Sequence, residues 1–255
     1  MKLVATDFDG TFSLYGGDVP QENLDAVRAW QAAGHKFGIN TGRGLSLIGL
    51  ELSKHPELEP DFLILNNGAV IVDRERRILS SLCLPQSLLA DVLFFLMRER
   101  GDAPMLVVTE EESLSIHGNP AAELGIPGMP ETTLEKAVAR EDVVQLSMNC
   151  ETMEGAQEME RRALERFPEL VGNINRGYLD LNLAGADKQH GIDRMLKATG
   201  WQIAPEDLFV IGDDLNDLPA IEAYHGYTVA AAPKFMREHA KKVYKSVGAM
   251  MMENL

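Results

Sequence analysis

The chain has 255 residues, 45% hydrophobic and 25% charged, the balance of a globular protein of one or two domains with a substantial core. Lys and Arg number 24 against 39 Asp and Glu, for a net charge of −15; bulk electrostatic attraction to nucleic acid or to an anionic membrane is thereby excluded as a mode of action. An anionic substrate would also be repelled at long range, so binding one demands a concentrated local positive site.

Leu3-Val4-Ala5-Thr6 reads as a buried parallel strand that ends at Asp7-Phe8-Asp9-Gly10. A helix follows from about Pro20, with Leu24, Val27 and Trp30 on one side and Gly34 as its stop. His35 to Asn40 is a second strand, ending in Thr41-Gly42-Arg43, and Phe62 to Leu65 a third, ending in Asn66-Asn67-Gly68-Ala69. Pro85 opens a helix carrying Leu88, Leu89, Val92, Phe95 and Leu96 on one face, and Gly101 closes it. Short strands at Met105–Thr109 and Ser113–His117 flank the solvated turn Glu110-Glu111-Glu112, and Gly118 to Pro130 reads as a loop. Val143–Met148 is strand-like, Met153–Phe167 helical, and Leu170–Ile174 with Tyr178–Leu183 forms a hairpin around Arg176-Gly177. A helix bearing Ile192, Met195 and Leu196 follows Lys188, and Leu208–Ile211 is a further core strand, ending in Gly212-Asp213-Asp214. The outer parts therefore predict an α/β, doubly wound parallel-sheet core made of residues 1–83 and 184–255. Residues 84–183 predict an inserted α+β domain with mostly antiparallel pairing.

Cys83 and Cys150 form no CxxC, which argues against a disulfide framework or a thiolate metal site. The opening Met-Lys-Leu-Val-Ala-Thr-Asp is too briefly apolar for a signal peptide, and no run reaches the roughly 18 apolar residues of a membrane span. A cytoplasmic setting is expected. The six histidines lack metal-ligand spacing, and Met250-Met251-Met252 reads as C-terminal packing.

In open α/β sheets ligands bind outside the carboxyl ends of the strands, which makes the polar strand ends the candidate site. Asp7 and Asp9, two apart and followed by Gly10, can converge on one small volume. Gly212-Asp213-Asp214-Leu215-Asn216-Asp217 carries more acid than capping the next helix requires, and burying several like charges together needs a cation. Asp7, Asp9 and Asp213 would make a hard, all-oxygen site suited to Mg²⁺. Thr41, followed by Gly42, offers a hydroxyl and free backbone N–H groups to a phosphate, while Lys188 would offset phosphate charge. Arg43 is placed to reach a leaving group or the inserted domain, and Asn67 to brace the same cavity.

In this order the motifs Asp7-Phe8-Asp9-Gly10-Thr11, Thr41-Gly42-Arg43, Asn67-Gly68-Ala69, Lys188 and Gly212-Asp213-Asp214-Leu215-Asn216-Asp217 resemble the haloacid-dehalogenase-like superfamily of phosphohydrolases. The inserted domain resembles the cap of its Cof-like branch. Two departures stand out: Gln189-His190-Gly191 follows Lys188 where the branch usually has Gly next, and Gly248-Ala249-Met250-Met251-Met252 replaces its usual Asp-Gly-Val ending. The resemblance implies a Rossmann-like core and Mg²⁺-dependent hydrolysis of a small-molecule phosphate ester, a sugar phosphate above all, through an aspartyl-phosphate. It makes Asp7 the nucleophile, Asp9 the acid and base (touching the metal through its carbonyl), and Asp213 the other carboxylate ligand. Thr41, Gly42, Arg43, Lys188 and Asn216 would meet the substrate, while Asp214, Asp217 and Asn67 support them from behind, with Asn216 or Asp217 orienting Asp213 or Lys188. A sugar phosphomutase of the same superfamily is the alternative, and a receiver-like phosphosignalling protein a more distant one. Leaving-group selection is expected in the inserted domain, at Gly118-Asn119-Pro120, at Asn175-Arg176-Gly177 and at Asp180. The sequence names neither the substrate nor the oligomeric state.

Overall fold

The computed structural model describes residues 1–14, 18–118, 129–175 and 177–255. Along the chain run β1 (Leu3–Thr6), α1 (Gln21–Ala32), β2 (Lys36–Asn40), α2 (Leu45–Ser53), β3 (Phe62–Leu65), β4 (Val70–Asp73) and β5 (Ile78–Ser81). Then come α3 (Gln86–Arg100), β6 (Met105–Thr109), β7 (Ser113–Ile116), α4 (Leu134–Val138), β8 (Val143–Asn149), α5 (Met153–Arg166), β9 (Leu170–Asn175) and β10 (Tyr178–Leu183). The last are α6 (Lys188–Thr199), β11 (Leu208–Gly212), α7 (Leu218–Ala223), β12 (Tyr227–Val229), α8 (Lys234–His239), β13 (Lys242–Tyr244) and α9 (Val247–Glu253). The backbone divides into two compact units: Met1–Arg43 with Ile48–Ser80 and Asp187–Leu255, and Gly44–Leu47 with Ser81–Ala186.

The first unit is built on a sheet of order β13-β12-β11-β1-β2-β3-β4-β5. Strands apolar on both faces need cover on both, and β1, β3 and β11 are buried throughout. Leu3 and Ala5 of β1 join Phe62, Ile64, Leu208 and Val210 on one face, packed against Ile192 and Met195 of α6 and Ala220 of α7. On the other, Trp30 of α1 meets Phe209 edge to face, with ring centroids 5.8 Å apart. The sheet is thus doubly wound, and parallel from β13 to β3. Its far edge is not parallel, because β4 returns antiparallel to β3 after the tight turn Asn66–Gly68. Gly34 lies just past α1 with φ +82°, as a helix stop requires. Asn23 ties α1 to both ends of the chain: its Nδ2 donates to the Phe12 carbonyl at 2.8 Å, and its Oδ1 accepts from the Gly248 N–H at 2.7 Å. Met250 and Met251 of α9 are fully buried while Met252 is exposed, so the methionine run is largely packing.

The second unit has a five-stranded sheet, order β7-β6-β8-β10-β9, antiparallel at every pairing. One face is apolar: Met105, Val107, Leu146, Met148, Leu179 and Leu181 pack against α3, α4 and α5. Pro85 precedes α3, and Gly101 with φ +57° ends it. Residues 119 to 128 and Arg176 lie outside the described residues, and with them the expected selectors Asn119, Pro120 and Arg176.

Candidate active site

Asp7 leaves β1 with its N–H still bonded to the Ile211 carbonyl at 2.9 Å, which aligns the end of β1 with that of β11. Its side chain is buried, and Oδ1 accepts from Lys188 Nζ at 2.7 Å; Oδ2 has no hydrogen-bond partner among the described residues. Lys188 opens α6 and is 1% exposed; its second partner is Asp217 Oδ1 at 2.5 Å. The other oxygen of Asp217 accepts the backbone N–H groups of Asp213 and Asp214, both at 3.1 Å. That close tuck needs Gly212, because a Cβ there would lie 2.2 Å from the Asp217 carboxyl carbon. Asp217 therefore orients both Asp213 and Lys188. Asp213 Oδ1 accepts from the Thr11 hydroxyl at 2.6 Å. Thr11 belongs to the first motif, yet sequence reasoning gave it no task.

Carboxylate oxygens of Asp7, Asp213 and Asp217 all lie within 4.8 Å of one another. Three buried carboxylates against one ammonium leave a formal excess of two negative charges, a donor set that fits a hard divalent cation. Burial pushes the Asp7 carboxyl well above the usual range; Lys188 opposes this, and Asp217, Asp213 and Asp9 add to it. Burial also works against the Lys188 ammonium, but Asp217 and Asp7 outweigh it and hold its pKa above the ordinary lysine range. Asp217 has both oxygens engaged in hydrogen bonds, so Asp7 and Asp213 are the better-suited ligands.

Asp9 points elsewhere. Its oxygens accept from Arg43 Nε and Nη2, each at 2.7 Å, in a two-bond fork. Arg43 also reaches Glu51 Oε1 at 3.4 Å. Burial disfavours the guanidinium, yet the hydrogen bonds and charge of Asp9 raise its pKa. Sequence reasoning gave Arg43 a leaving-group or inserted-domain contact; the structure pairs it with the second aspartate of the first motif.

Thr41 ends β2, and the expectation of free N–H groups there is corrected. The Thr41 N–H donates to the Ile64 carbonyl at 2.9 Å, and the Arg43 N–H donates to Thr41 Oγ1 at 3.2 Å. What Thr41 retains is its hydroxyl proton. Gly42 sits between these two tethers. The loop is braced from behind, as the Asn67 N–H donates to the Thr41 carbonyl and the Asn66 N–H to that of Arg43, both at 3.1 Å. Asn66 and Asn67 make this turn with φ +53° and +52°, a region asparagine tolerates better than most residues. Among the described residues Asn216 hydrogen-bonds to neither Asp213 nor Lys188, one of its expected tasks; its Nδ2 donates to Asn67 Oδ1 at 3.0 Å and its buried Oδ1 has no hydrogen-bond partner there. Asp214 caps the turn after β11, accepting from the Leu215 N–H at 2.8 Å.

The first turn of α6 sits against the Asn66–Gly68 turn at backbone distance. A Cβ on Gly68, where φ is +94°, would fall 2.3 Å from the Asp187 carbonyl oxygen; one on Gly191 would fall 2.6 Å from Ile64 Cγ2. Arg194 Nη2 donates to the Gly68 carbonyl, and Asn40 Nδ2 to that of Lys188 at 2.9 Å. Gly191 thus supplies the small residue this approach demands, three positions after the lysine. His190 is exposed and bonded to Asp187 at 2.6 Å.

A family model for the haloacid dehalogenase-like hydrolases matches residues 4–249. A Mycoplasma capricolum protein without a described activity is 24% identical over 241 residues, 88% of each chain. Among solved structures, a subclass IIB sugar phosphatase is similar with a TM-score of 0.83 and 22% identity, covering 100% of this chain and 99% of its own. A haloacid dehalogenase-like hydrolase from B. subtilis gives the same TM-score and identity over 100% of both chains, and a COF-like hydrolase from Plasmodium vivax gives 0.81 at 20% identity over 99% and 94%. Fold, strand-end acids and matched span agree, and this chain belongs to the haloacid dehalogenase-like hydrolases.

Proposed function

We propose that the protein is a Mg²⁺-dependent phosphate monoester hydrolase that works through an aspartyl-phosphate on Asp7 and acts on a small phosphorylated metabolite, foremost a sugar phosphate. The observation that carries this reading is the state of Asp7: Oδ1 is held by Lys188 and Oδ2 is left for attack, in a buried cluster with excess negative charge. Mg²⁺ held by Asp7, Asp213 and the Asp9 carbonyl would keep Asp7 ionised and offset charge on the phosphoryl oxygens.

Asp7 Oδ2 attacks phosphorus as the bond to the leaving oxygen breaks, and Asp9 gives that oxygen a proton. Water then attacks the same phosphorus, Asp9 takes its proton, and Asp7 is regenerated with release of phosphate. Both Asp9 oxygens accept from Arg43, so proton transfer requires the guanidinium to release at least one of them. Arg43 therefore controls when Asp9 is available. Lys188 and the Thr41 hydroxyl stabilise charge on the transferring group, where electrostatic positioning supplies most of the rate. Gly42 is proposed to meet that group beside Thr41, with Asn216 and Asn67 in support, Asn67 bonded to the Thr41 carbonyl and Asn216 to Asn67.

The second unit is proposed as the cap that selects the leaving group. No helix among the described residues is long and apolar enough to cross a membrane, and we propose a cytoplasmic setting. The test is phosphate release from a panel of sugar phosphates, nucleotides and other metabolite esters, with and without Mg²⁺. Mg²⁺-dependent release is expected, and its absence from Asp7→Asn. Interconversion of sugar phosphates with little phosphate released would instead assign a mutase.

A further inference from the structure

Arg43 serves two carboxylates at once. Its Nε and Nη2 donate to Asp9, each at 2.7 Å, while Nη1 reaches Glu51 Oε1 at 3.4 Å. The first contact is a close fork and the second a stretched bond, so the guanidinium is held by Asp9 with Glu51 next in line. Glu51 lies on α2, and its other oxygen accepts from Lys54 Nζ at 2.6 Å. A Glu and a Lys three apart on an exposed helix face are ordinary surface chemistry. This glutamate is placed differently: its side chain is 16% exposed against 55% for Lys54, and among the described residues its Oε1 accepts from Arg43 alone.

The proton transfers proposed for Asp9 require that carboxyl to leave the fork. Arg43, whose side chain is only 22% exposed, then has two N–H groups without acceptors and a charge without its partner, a state that is disfavoured. A second carboxylate already within reach offsets that cost. A small turn of the guanidinium converts the 3.4 Å contact into a full ion pair, while Lys54 holds the far oxygen of Glu51 in place. The buried Phe8 ring has its centroid 5.9 Å from the guanidinium carbon and offers an aromatic face against which the cation can turn. Asp9, Arg43, Glu51, Lys54 and Phe8 all belong to the first unit.

We infer that Glu51 is a positioning residue that draws Arg43 off Asp9, so that the Asp9 carboxyl can turn to the leaving oxygen. This rests on the phosphatase reading above. Glu51 touches no reacting atom; it acts by giving the guanidinium a second resting place.

The test compares kcat/KM of the wild type and of Glu51→Gln, a near-isosteric change that removes the charge, on a hexose 6-phosphate and on p-nitrophenyl phosphate. This constant reports only the steps through formation of the aspartyl-phosphate. A sugar alkoxide needs a proton from Asp9 to depart, whereas p-nitrophenolate leaves as a stable anion. A positioned acid supplies about 10²- to 10⁴-fold, and Glu51→Gln should remove about tenfold or more of it from the hexose ester while leaving p-nitrophenyl phosphate within about twofold of the wild type. In an Arg43→Met background there is no guanidinium to draw away, and adding Glu51→Gln should change neither ester further. Equal losses on both esters, no loss on either, or an undiminished effect in Arg43→Met would overturn the inference. A crystal structure of the wild type with Mg²⁺ and beryllium fluoride, the analogue of phosphorylated Asp7, reads the hand-over directly. Arg43 should stand about 3 Å from Glu51 with at least one Asp9 oxygen released, and an intact fork would overturn the inference. Failure of the phosphatase reading shows separately, as a wild type that releases no phosphate from any ester, and it removes this inference with it.

Discussion

Replacing Lys188 by Met keeps most of the aliphatic stem and removes the charge, which makes it a clean probe of the acidic cluster. The lysine side chain is 1% exposed and its partners Asp7 and Asp217 are 8% and 6% exposed. Taking one partner from a buried ion pair costs about 3–5 kcal/mol, because the other charge is left uncompensated. Here two carboxylates lose their counter-ion together, and the formal charge of the cluster goes from −2 to −3 by the same count of Asp7, Asp213 and Asp217. For a chain of this size about 1 kcal/mol moves Tm by roughly 2–4 °C, so without Mg²⁺ the variant should melt on the order of 6–20 °C below the wild type. A divalent cation bound only by the folded cluster returns stability by mass action, about 2.7 kcal/mol at a hundred times its Kd. Added Mg²⁺ should therefore raise the Tm of Lys188→Met more than that of the wild type. Thermal unfolding followed by circular dichroism, in EDTA and in MgCl₂, reads both numbers. A variant within about 1 kcal/mol of the wild type in EDTA would refute the reasoning.

Gly191→Ala should cost about 1–3 kcal/mol by overpacking, against a helix-propensity gain of about 1, and should lower kcat by moving Lys188; Gly49→Ala in α2, where a Cβ meets nothing within 4 Å, should instead stabilise. Urea unfolding and kcat of the two variants separate close approach from propensity. Thr11→Val deletes the hydroxyl that holds Asp213 and should raise the Mg²⁺ concentration for half-maximal activity about 10- to 100-fold, read from an Mg²⁺ titration of rate. Arg43→Lys cannot reproduce the fork on Asp9; kcat should fall by about tenfold or more while Tm shifts by only a few degrees, since the pair is partly exposed.

The strand ends were legible because apolar runs such as Leu3–Thr6 and Leu208–Ile211 stop abruptly at acids, and parallel strands bring such stops to one edge. Asp7 and Asp213 follow from that alone, whereas Lys188, at the start of α6, drew its weight only from its place in the order of the motifs. The Arg43–Asp9 fork was not legible, since nothing local distinguishes an arginine that reaches a substrate from one that folds back across 34 positions. Thr11 escaped for the same reason, its partner lying 202 residues away. Asn216 was drawn to Asn67 rather than to Asp213 because the Asn66–Gly68 turn, with two asparagines at positive φ, brings that amide within reach. Strands β12 and β13 have three residues each, too few for periodicity to register, and α2 buries only Ile48 and Leu52. Strand β4 escaped because Asn66–Gly68 read only as the polar end of the strand before it, and Val70–Asp73 is too short to declare itself as a returning strand.

The central claim is that Asp7 forms the covalent intermediate. Its most direct test is an acid-quenched single turnover with a hexose 6-phosphate and Mg²⁺, followed by peptide mass analysis. The account predicts a phosphoryl adduct on Asp7 that forms and decays with the turnover rate and is absent from Asp7→Asn. Phosphate release at the wild-type rate from Asp7→Asn, or an adduct on another residue, would contradict it.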